Sequence, residues 1–218
     1  MTLLAYQAAI LLYRRSGMNP LANPVLIAVS ILVLLLTLTA TSYETYFAGA
    51  QFVHFLLGPA TVALAIPLYT QFRRVRSLLL PVAAGLVAGS LTAALSAIAI
   101  ARLFGASLPT QLSLAPKSVT TPIAMGIAER IGGIPSLTAV LVISTGILGA
   151  VLGRYVFDAL RISDPAIRGF ATGITAHGIG TARAFQESEQ AGAFAALAMG
   201  MNGLVTALLV PALLPLLQ

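Results

Sequence analysis

Three long stretches of this chain, residues 77–101, 131–153 and 190–218, contain no Asp, Glu, Lys or Arg. Between Arg15 and Arg73 the only such residue is Glu44. A helix needs about 20 apolar residues to cross the hydrocarbon core of a bilayer. Within that core every backbone N–H and C=O must find a partner in the protein, so uncharged runs of this length point to α-helices. The apolar residues run on without alternating, which excludes a β-barrel.

Composition closes other routes. Charged residues make up 8% of the 218 and hydrophobic residues 58%, whereas a soluble domain carries about 25% charge. A soluble enzyme and a disordered chain are both excluded. The net charge of +6 comes from basic residues set between apolar blocks, with no basic stripe for nucleic acid. Cys is absent and the two His are far apart, so neither a disulfide framework nor a zinc cluster is expected. The expectation is an all-α polytopic membrane protein that is no enzyme and needs no cofactor or metal.

Full spans are expected at 24–41, 53–70, 77–103, 134–158 and 190–217. With the shorter stretch Leu3–Tyr13 they make about six crossings in a single transmembrane domain, 1–218. Leu3–Tyr13 is either a clipped helix or one that begins inside the bilayer. Its apolar run precedes Arg14 and Arg15, the reverse of a signal peptide. The positive-inside rule places Arg14-Arg15, Arg73-Arg74-Arg76 and the group Arg154, Arg161 and Arg168 in the cytoplasm. The expected location is the inner (plasma) membrane, multi-pass. The segment Ser42–Ala50, with Tyr43, Glu44, Tyr46 and Phe47, reads either as an interfacial aromatic piece or as a plain loop. Residues 108–130 must enter and leave on one side for this topology to hold.

Two segments do not read as ordinary membrane helices. Residues 108–130 hold Pro109, Pro116 and Pro122 around Lys117, Ser118, Thr120 and Thr121. Proline removes a backbone donor and clashes with the preceding turn, so Pro116 and Pro122 predict a broken helix. Such backbone is tolerated at membrane depth only beside protein or a watery cavity. Residues 165–189 place Gly173, Gly178 and Gly180 around His177, with Thr181 and Arg183 following. Glycine costs about 1 kcal/mol in a helix interior, and three so close predict an unwound point, with Gly178 and Gly180 at the break. Pro59 is a further break position. Each broken segment follows a long apolar helix, which gives candidate repeat units 77–130 and 134–189 entering from opposite sides. That is the pattern of an inverted repeat, whose broken helices meet at the midplane and build a substrate site.

Lys117 is the only lysine. A charge at mid-bilayer costs about 2.5–3.5 kcal/mol. Lys117 therefore either faces a cavity that binds an anion or snorkels from a loop tip to the headgroups. Ser118, Thr120 and Thr121 after Pro116 favour the first reading. Proline and hydroxyls mark a helix N-terminus, whose free N–H groups and dipole suit an anion. His177 is either a substrate or proton-relay group or a satisfied structural residue. The candidate substrate-binding set is Lys117, Ser118, Thr120, Thr121, His177, Thr181 and Arg183. Arg183 also stands four residues before Glu187, a spacing for a structural ion pair. His54 reads as interfacial. Gly85-x-x-x-Gly89 and Gly149-x-x-x-Gly153 permit close helix approach.

The residues Gly58–Tyr69, Pro116–Ala124, Gly132–Pro135, His177–Arg183, Gly192–Phe194 and Ala198-Met199 resemble the LrgB/CidB family of membrane proteins. The likeness covers nearly the whole chain from Asn23 onward, and the block PKSVTTPIA is highly specific. The first helix departs from the family by being short. The resemblance implies two functions. One is holin/antiholin-like control of murein hydrolase activity and lysis. The other is transport, since the family also resembles the C-terminal half of the plastid glycolate/glycerate transporter. It further implies a small LrgA/CidA-type membrane partner. The transport reading agrees with the residues. It predicts an elevator-like carrier of small monocarboxylates or 2-hydroxy acids, such as glycolate, glycerate, lactate or pyruvate, with proton coupling as an option. The small-residue motifs and the need for a scaffold make a dimer the expected oligomer.

Overall fold

The computed structural model describes residues 1–17, 19, 22–56, 59, 62–213 and 215, apart from the side chains of residues 54, 65 and 68. The chain forms two compact units, Met1–Ile66 and Pro67–Gln218.

The first unit holds α1 (Thr2–Arg15), α2 (Pro24–Leu38) and α3 (Tyr43–Phe55). The start of α2 follows from its first residues. Asn23 Oδ1 accepts the N–H groups of Val25 and Leu26 at 2.9 and 3.2 Å, and Pro24 occupies the first turn, where no amide proton is needed. Ser42–Ala50 is not a plain loop: most of it lies in α3, where Tyr43 stacks on Phe47 with ring centres 5.7 Å apart. The Tyr46 hydroxyl meets Thr2 Oγ1 at 2.8 Å. The apolar helix expected over 24–41 ends earlier, at Leu38. The expected span 53–70 runs through residues 57, 58, 60 and 61. These lie outside the described residues, and with them both flanks of Pro59, where the expected break would show; so does the side chain of His54.

The remaining helices are α4 (Ala65–Thr70), α5 (Phe72–Ser77), α6 (Leu79–Leu103), α7 (Leu108–Leu114), α8 (Thr121–Ile131), α9 (Pro135–Ala159), α10 (Pro165–Glu187) and α11 (Glu189–Leu213). Among the described residues, α6, α9 and α11 are long and apolar enough to cross a membrane, each with 25 residues. They leave Leu80, Leu103, Val140, Leu148, Leu204 and Leu208 more than half exposed. A soluble surface does not carry so much apolar area; hydrocarbon accepts it. The second unit is thus a helical membrane-type fold.

In lipid, helices associate through close packing more than through exclusion of water. Small residues make that packing here. A Cβ on Gly169 would lie 2.0 Å from the Ala191 carbonyl oxygen, and one on Gly173 would lie 2.2 Å from that of Ala195. The backbones of α10 and α11 therefore touch. Gly85 and Gly89 of α6 face Phe170 and Ile174, and Gly149 of α9 faces Ala176.

These contacts reveal the path of α10. Gly169 meets Ala191 and Gly173 meets Ala195, so residues 165–176 run parallel to α11. Thr181 and Gly178 meet Met199, whereas Phe185 meets Gly192, so residues 178–187 run antiparallel to it. The chain reverses at His177, whose φ of 41° and ψ of −132° are non-helical. Arg74 confirms that both ends of the hairpin lie together. Its guanidinium reaches Asp164 at 2.8 Å, before the first leg, and lies 2.7 Å from the side-chain amide of Gln190, after the second, whose oxygen accepts from it once the amide is turned to face it. Residues 165–187 therefore form a helical hairpin. The unwound point expected among the glycines around His177 is present, and it is a full reversal on His177 itself, with neither Gly178 nor Gly180 the residue that breaks the helix. Gly173 and Gly180 are packing positions, Gly180 lying against Thr172 and Ala176, and the reversal sits on a single non-glycine residue.

The segment 108–131 forms a second hairpin. It descends through α7, turns at 115–120 and returns through α8. Gly132, at φ 87°, ends α8 in the left-handed conformation that glycine adopts without penalty. Gly133 then comes back against Leu112 and Ser113. The base is tied to the start of α9, where Ser113 Oγ accepts from the Ile134 N–H at 2.8 Å and the Thr138 hydroxyl donates to the Ser113 carbonyl at 3.1 Å. The helix N-terminus expected just after Pro116 lies later, at Thr121. Pro116 is instead enclosed within the turn.

Candidate functional site

The two hairpins enter from opposite ends of α9. The first is based at Ile134 and Thr138; the second is based beside Asp158, which pairs with Arg154 and Arg168. The second hairpin climbs α9 backwards. Thr172 shares a pocket with Gly153, Ala176 packs on Gly149, and His177 reaches Gly146 and Val142. The tips therefore meet within the protein.

Asn202, in the middle of α11 and 1% exposed, joins them. Its Nδ2 donates to the Ser118 carbonyl of the first tip at 3.1 Å and to the Ile174 carbonyl of the second at 3.0 Å. Its Oδ1 lies 2.6 Å from Ser90 Oγ on α6 and 3.2 Å from Thr206 Oγ1. A continuous α10 would supply the Gly178 N–H to the Ile174 carbonyl; the reversal takes that donor away. The Ser118 carbonyl lies in the non-helical turn. Both carbonyls would otherwise be buried without a donor, at about 1–3 kcal/mol each.

A cleft of about 750 Å³ opens beside the tips. Lys117 and Ser118 of the first tip line it, with Thr92 of α6, Thr145 of α9 and Thr172 and Thr175 of α10. Lys117 Nζ lies 3.3 Å from Ser118 Oγ. No carboxylate belongs to its walls among the described residues, and Lys117 is their sole formal charge. The wall on α9 runs from Thr145 to Phe157, toward the end that bears Arg154. A small polar pocket at that end, lined by Arg154, Arg183 and Glu187, shares Gly149, Gly153, Phe157 and Thr172 with the cleft.

The residues singled out in the sequence thus have different places. Lys117 and Ser118 reach the cleft together. Thr120 is the N-cap residue of α8 and Thr121 its first residue, both half-buried at the base of the turn. His177 and Thr181 are buried and bonded within the second tip. His177 Nε2 lies 2.9 Å from the Val142 carbonyl, and the Thr181 hydroxyl donates to the His177 carbonyl at 2.8 Å. Arg183 stands 3.8 Å from Glu187, in the ion pair that the spacing anticipated, and 3.1 Å from the Gln186 side-chain oxygen. Lys117 and Ser118 are not brought against a carboxylate in any bond described. Sequence reasoning missed Asn202, Thr92, Thr145, Thr172 and Thr175. For Asn202 a signal existed: after Gln190 it is the only amide in an uncharged run up to Gln218, and a strongly polar residue within a membrane segment is a functional candidate. The threonines gave none, since threonine in membrane helices commonly bonds its own backbone, as Thr175 does to Ala171 at 2.8 Å.

Comparison with known proteins shows what the sequence is similar to. A model described as the LrgB-like family matches residues 2–216. The uncharacterized protein YwbG of Bacillus subtilis (strain 168) is 38% identical over 214 residues, 98% of this chain and 95% of that protein. The antiholin-like protein LrgB of Bacillus cereus (strain B4264) is 30% identical over 214 residues, covering 98% and 93%. No solved structure matches.

Proposed function

The chain belongs to the LrgB-like family, and from that premise we propose that it is a membrane carrier of small organic anions, monocarboxylates or 2-hydroxy acids, working by alternating access. The observation that carries this reading is Lys117, the one cation among the described residues of a cleft walled by threonines and apolar residues, placed at a hairpin tip. Lys117 holds the carboxylate. Ser118 and the threonines of the cleft offer hydrogen bonds to the remaining oxygens, and Thr120 and Thr121 set the N-terminus of α8 behind them. Two opposed hairpins suit the inverted-repeat pattern of carriers, with units 77–130 and 134–189. One bundle bearing both tips moves past a scaffold, as in an elevator. Proton coupling belongs to the proposal, with His177 as the titratable group of the second tip. Arg74, Arg154 and Arg168 mark the cytoplasmic end, so the cleft is drawn in its inward-open state. The location proposed is the inner membrane, with a second copy of the chain as scaffold partner and a small LrgA/CidA-type protein as a further partner.

A second reading stands on the relatives named antiholin-like: a pore or a regulator of lysis. Purified chain in liposomes separates the two. A carrier takes up labelled glycolate, glycerate, lactate or pyruvate saturably, and one unlabelled acid competes. A pore releases an enclosed dye along with every acid.

A further inference from the structure

Asn202 carries a consequence beyond the identity of the cargo. Its amide has two donors and one oxygen with two lone pairs. The donors meet the carbonyls of Ser118 and Ile174, one from each hairpin tip, and the oxygen meets the hydroxyls of Ser90 and Thr206. The orientation is forced, because the reversed amide would set its oxygen against two carbonyls. Every group concerned is buried. No other side chain among the described residues bonds both tips.

We propose that Asn202 is the positioning residue of the site: its amide ties the Lys117–Ser118 turn to the Ile174–His177 turn, so that the two tips hold one geometry and move as one body. The Ser118 carbonyl is fixed, and with it the direction in which Lys117 and Ser118 face the cleft. The anchor stands on α11, the most enclosed of the three long helices, and Ser90 links it to α6. Asn202 touches no cargo in this account; it acts through Ser118. That last step rests on the carrier reading, whereas the tie between the tips does not.

The test uses the whole chain, which has no native Cys. Spin labels go on Gly126→Cys, where a Cβ meets open space on α8, and on Ala182→Cys, exposed on the return leg of the second hairpin. The distance distribution between them is measured in the parent and in Asn202→Ala, Asn202→Leu and Ser90→Ala. A single narrow distribution is expected in the parent and in Ser90→Ala, and a broadened or shifted one in both Asn202 variants. Asn202→Asp, which keeps the volume and loses the amide donors, replaces any variant that is not recovered as monodisperse protein. The second readout is uptake of labelled glycolate by liposomes. KM is expected to rise about tenfold in the Asn202 variants with kcat nearly kept, the equivalent of one lost hydrogen bond to a buried carbonyl. An unchanged distribution overturns the proposal. A broadened distribution with unchanged KM overturns the positioning role and leaves only a structural tie. If the parent takes up no acid, the carrier reading falls and the distance distribution alone decides the tie.

Discussion

His177 Nε2 lies 2.9 Å from the Val142 carbonyl oxygen, so the ring that marks the reversal of α10 is pinned to α9. A carbonyl only accepts, which makes Nε2 the protonated nitrogen of the neutral ring. The residue holds a backbone conformation with φ 41° that side chains rarely adopt.

His177→Gly and His177→Ala both lose that bond, but only alanine keeps a Cβ at this positive φ, at about 1–3 kcal/mol. The alanine variant is therefore expected to be the less stable of the pair, the reverse of the order in an ordinary helix. Thermal unfolding in detergent gives the answer. An alanine variant as stable as the glycine variant would argue against a reversal at this residue.

Gly169→Ala and Gly173→Ala place a methyl group on the Ala191 and Ala195 carbonyls, at 2.0 and 2.2 Å, with backbone atoms in the way. Backbone cannot step aside, so α10 and α11 must part. A loss of at least about 3 kcal/mol is expected, at the upper end of overpacking costs. Gly126→Ala meets nothing within 4 Å and should gain about 0.5–1 kcal/mol. Melting temperatures of the three variants in one detergent check the contrast.

The direction in which the cleft opens is testable through single cysteines. Gly153→Cys and Thr172→Cys stand on its wall near Arg154 and Arg183. A membrane-impermeant maleimide should label both from the cytoplasmic side and should spare Ala124→Cys, which is 0% exposed. Labelling of the cleft pair only from the outer side would reverse the assigned orientation.

Much of this was readable from residue order, for identifiable reasons. Uncharged runs fix long helices because hydrocarbon leaves the backbone no other partner, and α6, α9 and α11 fall on 77–101, 131–153 and 190–218. Pro116 and Pro122 announced the first break because proline acts locally. The glycines around His177 mark the second break, but they do not cause it. Gly173 and Gly180 look like helix weakeners in sequence, and only the approach of Ala195 and Thr172 shows that they are contact surfaces. The bend on His177 is held by Val142, far away in the chain, and no local pattern encodes it. Lys117 and Ser118 were legible as a rare charge beside a hydroxyl. Asn202 depends on where two tips meet, which is a tertiary fact.

Lys117→Ala tests the central claim most directly. Parent and variant are reconstituted at equal density in liposomes, and saturable uptake of labelled glycolate, glycerate, lactate and pyruvate is measured. With the sole cation among the described walls of the cleft removed, uptake of the competed acid should fall about ten- to a hundredfold, the scale of a lost charge-assisted hydrogen bond, while insertion and thermal stability stay near those of the parent. Uptake by the variant that matches the parent in rate and KM would contradict the account.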